Sequence, residues 1–76
     1  MRKFDELNNP NSCMNKARDG ELTFVLLGRD KAAPRAIRAW AAERLLLGKN
    51  TSTDDPQIRE ALECADQMER EQRGER

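Results

Sequence analysis

Apolar residues fall into three unlike patterns along the chain. Leu22–Leu27, LTFVLL, is a short unbroken run of aromatic, β-branched and leucine residues between Gly20 and Gly28. Such a run reads as a strand, although a helical reading stays open. It lacks clean alternation, so both of its faces are expected to be covered. Further on, Ile37, Trp40, Ala41 and Leu45 share one face at 100° per residue. With Pro34 in the first turn and Gly48 just past the end, this predicts a helix over 34–47. Ile58, Ala61, Leu62, Ala65 and Met68 then form a narrow stripe that predicts a helix over 56–72. Pro56 stands in its first turn, and Asp54 with Gln57 makes a weak capping box. The polar connection KNTSTDD is short, so the two helices should be antiparallel neighbours. Ala61 and Ala65 would let them approach closely around Trp40.

The N-terminal third is polar. Residues 1–10 hold only Phe4 and Leu7 as anchors, which predicts a flexible arm that a partner would order. Over 11–19, Asn11 or Ser12 can cap a short helix that Asp19-Gly20 stops. The expected fold is therefore one small α+β domain over 1–76, mostly helical. It has a short N-terminal helix, a strand at 22–27 and a C-terminal antiparallel helix pair. The lone strand needs a ladder partner. The N-terminal arm or the same strand of a second subunit could supply it, the latter as an isologous contact.

Length sharpens that need. A chain of 76 residues buries only about 60% of its unfolded surface, so it requires a staple. Cys13 and Cys64 are far apart in sequence and read as reduced, partly buried thiols. There is no histidine and no C-x-x-C pair for zinc. No metal or cofactor is implied. Self-association, as a dimer or higher oligomer, is what remains.

Charge changes the picture in one respect. Fourteen basic and fourteen acidic residues cancel, which argues against non-specific nucleic-acid binding. Their distribution is uneven. Residues 29–49 carry Arg29, Lys31, Arg35, Arg38, Arg44 and Lys49 against Asp30 and Glu43, a surplus of four positive charges. Residues 50–76 carry eight acids against four arginines, a surplus of four negative charges. Either the two segments pack together, or a basic surface receives an anion or an acidic partner. No apolar run approaches the ~20 residues of a membrane span. MRKFDELNNPNS has no apolar core of a signal peptide. A cytoplasmic protein is expected.

Candidate chemistry centres on the hinge GRDKAAP. Backbone N–H groups at the start of the Pro34 helix carry the positive end of the helix dipole and can orient an anion. Arg29, Lys31, Arg35 and Arg38 would attract it. Asp30 can instead satisfy those donors itself, leaving the cations as a solvated face. One glycine, Gly28, makes neither a P-loop nor a dinucleotide fingerprint. Arg44 projects from an apolar face and must find a carboxylate, reach water or meet a ligand. Trp40 could stack a base, although its spacing suits the core. Catalysis has little support: Cys13 near Lys16 and Arg18 is the one nucleophile candidate. Asp54-Asp55 beside proline reads as a cap rather than an acid/base pair.

The run SCMNKARDGELTFVLLGRDKAAPRAIRAWA resembles a group of small uncharacterised proteins of bacteriophages and prophages. Cys13, Lys16, Phe24, Val25, Leu26, Asp30, Ala33, Pro34, Ile37 and Trp40 carry the resemblance, over about two-fifths of the chain. It implies a setting rather than a mechanism: a phage inhibitor or decoy acting by binding in the infected cell's cytoplasm. The expectation is a non-catalytic binding protein acting against a bacterial defence system. It would block a host protein or sequester an anionic, nucleotide-like ligand through Arg29, Asp30, Lys31, Arg35, Arg38, Trp40 and Arg44. The alternative is a self-assembling structural or regulatory subunit with no small-molecule ligand.

Overall fold

The computed structural model describes residues 2–74. Four helices form: α1 (Lys3–Asn8), α2 (Cys13–Lys16), α3 (Ala33–Leu46) and α4 (Pro56–Gln72). No strand occurs among the described residues, so the fold is all-helical and the expected α+β class is wrong.

The helix pair forms as its stripes predict. Pro34 lies in the first turn of α3 and Pro56 in that of α4. In both places the missing N–H has no intrahelical acceptor to lose. α3 ends in a Schellman motif: Gly48 N–H donates to Leu45 O at 3.2 Å and Lys49 N–H to Arg44 O at 3.0 Å. Gly48 takes φ +72°, the left-handed value this cap requires. The start of α4 differs from expectation by one residue. Asp55, not Asp54, is the N-cap, and its Oδ1 accepts from Gln57 N–H at 2.9 Å. Contacts of Arg38 with Asp66 and Glu69, and of Arg44 with Gln57, establish that α3 and α4 run antiparallel.

Their shared core is thin. Ala33, Pro34, Ala41, Ile58 and Ala65 are buried. Three of these five are alanines, which permits close approach but hides little area per residue. Trp40, expected between the helices, lies at the edge and is 41% exposed.

The N-terminal segment is not an arm without structure. Residues 3–8 are helical, and α1 packs on α2 through hydrogen bonds. Ser12 Oγ donates to Glu6 O at 2.6 Å and accepts from Asn15 N–H at 3.2 Å, capping α2. The Asn15 amide nitrogen donates to Glu6 O, Leu7 O and Asn9 O at 3.1, 3.0 and 2.8 Å. Glu6 O and Leu7 O are orphan carbonyls at the end of α1, and Asn9 O lies just past it. Among the described residues, neither α1 nor α2 packs against α3 or α4. Arg2, forked on Glu71 at 2.9 and 2.8 Å, ties this small unit to α4.

Between the two units, Leu22–Leu27 is irregular. Leu22 is 98% and Phe24 87% exposed, and no described residue bonds the backbone of 22–26. β-branched and aromatic residues favour a strand only where a ladder and a covered face exist. The arm that could have paired is helical instead, so neither is available here. The radius of gyration, 13.1 Å, suits a chain of about 100 residues rather than 76.

Candidate binding surface

A groove of about 1200 Å3 lies between the α1–α2 unit, the 22–27 segment and the C-terminal half of α4. Phe24, Leu26, Met14, Met68, Cys13 and Cys64 line it, with Arg29 and Lys31 at its hinge end. Every sulfur side chain among the described residues faces this space. Both cysteines are free, and Cys13 is exposed rather than partly buried. Methionine supplies adaptable, polarisable walls of the kind that accept varied apolar surfaces.

The hinge is built by Asp30. Its carboxylate accepts from Ala32 N–H at 2.9 Å, and its carbonyl accepts from Ala33 N–H at 3.0 Å. The Gln72 amide donates to Gly28 O at 2.8 Å and to Asp30 O at 2.9 Å, pinning the hinge to the end of α4. Asp30 thus occupies one of the donors that an anion at the start of α3 would use.

The seven residues singled out in sequence do not converge. Arg29, Lys31 and Arg35 are exposed near the hinge, with no ion pair among the described residues. Arg38 is taken by α4. It forks on Glu69 at 3.0 and 2.6 Å and reaches Asp66 at 2.7 Å. Hydrogen bonds to Glu69 and then Asp66 raise its pKa further. The same contact with Arg38 lowers that of Glu69.

Trp40 and Arg44 belong to the opposite end of the hairpin. The Arg44 guanidinium lies 5.6 Å from the Trp40 ring centroid, within cation–π range. Its Nε donates to Asn50 Oδ1 at 2.7 Å and its Nη2 to Gln57 Oε1 at 3.3 Å. Asn50, itself buried, also donates to Gln57 Oε1 at 3.1 Å. Arg44 therefore finds neutral amides and an aromatic face in place of a carboxylate. The Asn50 amide and then Gln57 N–H lower the Asp55 pKa.

Sequence reasoning missed the Asn15 and Asn50 amides as organisers of their turns. It also missed the exposure of Leu22 and Phe24. The signal for that exposure was present: a single apolar run with no second strand to pair with. Among the described residues no group of three or more Cys, Asp or Glu side chains could hold a metal ion. No described helix is long and apolar enough to cross a membrane. No family model, curated protein or solved structure matches the chain.

Proposed function

We propose that the chain is a non-catalytic binding protein that engages a protein partner through Leu22–Leu27 and the adjoining groove. The observation that carries this reading is the exposure of Leu22 and Phe24 on a stretch, 22–26, whose backbone has no hydrogen-bond partner among the described residues. Soluble monomers rarely leave large contiguous apolar patches in water unless these serve as contact surfaces. A phenylalanine alone offers roughly 150 Å2 or more to a partner. The phage resemblance supplies the setting, an inhibitor or decoy blocking a bacterial defence protein in the host cytoplasm.

The immobilised 76-residue chain and a Leu22→Ser/Phe24→Ser variant, exposed to the same host lysate, test the reading. Both side chains point into water, so the variant keeps its helical circular dichroism. A host protein retained by the wild type and lost by the variant is the expected outcome. Equal retention by both contradicts the reading.

Arg29, Lys31 and Arg35, exposed and without ion pairs among the described residues, favour a second reading in which the hinge holds an anionic, nucleotide-like ligand. It is the weaker one, because Arg38 is engaged by two carboxylates and Asp30 already fills a donor. A thermal shift with cyclic or linear nucleotides that Arg35→Glu abolishes would place it first.

A further inference from the structure

The accessible surface is 6378 Å2, whereas a folded monomer of this mass exposes about 4,700 Å2. The excess is roughly 1,600 Å2, about twice what each partner gives to a standard interface. Leu22 and Phe24, 98% and 87% exposed, contribute to it. The staples that stabilise other small domains are lacking: both cysteines are free, and no described cluster suits a metal. A cover for this surface has to accompany the chain wherever it folds, and the molecule that always does so is another copy.

Charge points the same way. Arg29, Lys31 and Arg35 stand exposed at the hinge end, without ion pairs among the described residues. Glu60 and Glu63 stand exposed on α4, likewise without ion pairs among the described residues. Glu60 lies one turn before Cys64, and Glu63 one turn before Gln67, on the helix whose later turns wall the groove. The chain therefore displays both halves of a complementary pair.

We propose that the groove, one wall of which is the chain's own 22–27 segment, also receives the Leu22–Leu27 segment of a second copy, with a two-fold axis repeating the contact. This rests on the reading of the segment as a binding surface and names the occupant that holds it until a host partner displaces it. Phe24 of each copy enters the groove of the other, between Met14 and Met68. Lys31 of each copy, at the basic end of the segment, then falls beside Glu60 of its neighbour. The contact is isologous, so it closes at two subunits. It is made by side chains, and the segment stays outside any sheet.

Sedimentation equilibrium of the 76-residue chain at low micromolar concentration tests this. The expected result is a dimer that Leu22→Ser/Phe24→Ser converts to a monomer with unchanged helical content. Lys31→Glu and Glu60→Lys singly should each weaken the dimer about tenfold or more, by setting like charges opposite one another. Combining them should restore it, a rescue that keeps the test independent of whether the apolar variant folds. A wild-type monomer overturns the proposal, as does an assembly that the apolar variant leaves intact. If the wild type is monomeric yet loses its host partner in that variant, the occupant is wrong and the surface is right. If it is monomeric and binding is unaffected, both are wrong.

Discussion

The turn out of α3 hangs on Gly48. At φ +72° with nothing within 4 Å of where a Cβ would stand, its requirement is conformational and not steric. Gly48→Ala should therefore lower unfolding stability by about 1 kcal/mol, the left-handed penalty of an L-residue. Urea denaturation checks this, and an unchanged midpoint would show that the cap is dispensable. This residue was legible in the sequence because a glycine after an amphipathic run has a single common use. Arg38 and Arg44 were not. Both lie on a helix whose periodicity says which face they occupy and nothing of what they meet there. The partners of Arg38 are some thirty residues away on α4. Those of Arg44 are amides, which no charge pattern reveals.

At the scale of elements, α3 and α4 were readable because their ends are marked, α3 by Pro34 and Gly48 and α4 by Pro56 and an aspartate cap. Position 54 against 55 was the extent of the error at α4. The 22–27 segment failed for the opposite reason. A helix satisfies its backbone internally, whereas a strand is defined by a neighbour, and no neighbour is encoded nearby. Trp40 slid to the edge because Arg44 offered its ring a cation and the small alanines closed the interface without it.

The hairpin also carries a pH signature. Asp55 is lowered by the Asn50 amide and then Gln57 N–H, and Glu69 by Arg38. Each folded value lies below the unfolded one, so on acidification the unfolded chain takes up protons first. The stability these groups contribute is present above the ordinary carboxylate range, about pH 4. It is lost as the pH falls through their lowered folded values. Denaturation midpoints should be flat near neutrality and drop below about pH 4. Asp55→Asn with Glu69→Gln should make that acid limb shallower, Asn keeping the cap. An acid limb of unchanged slope would place the sensitivity elsewhere.

The whole molecule combines a thin hairpin core, a hydrogen-bonded N-terminal unit and an apolar segment left in water between them. Zero net charge conceals opposite halves, and Arg38 joins them through Asp66 and Glu69. Both features make sense of a protein that completes its folding and its work through contact with other surfaces. Binding to the folded state alone stabilises it by mass action, so a chain that covers its excess surface with another copy has a concentration-dependent melting point. Thermal unfolding of the wild type beside Leu22→Ser/Phe24→Ser across a wide concentration series is the most direct measurement. The wild-type midpoint should climb with concentration while that of the variant stays level. A wild-type midpoint that does not move with concentration would contradict the account.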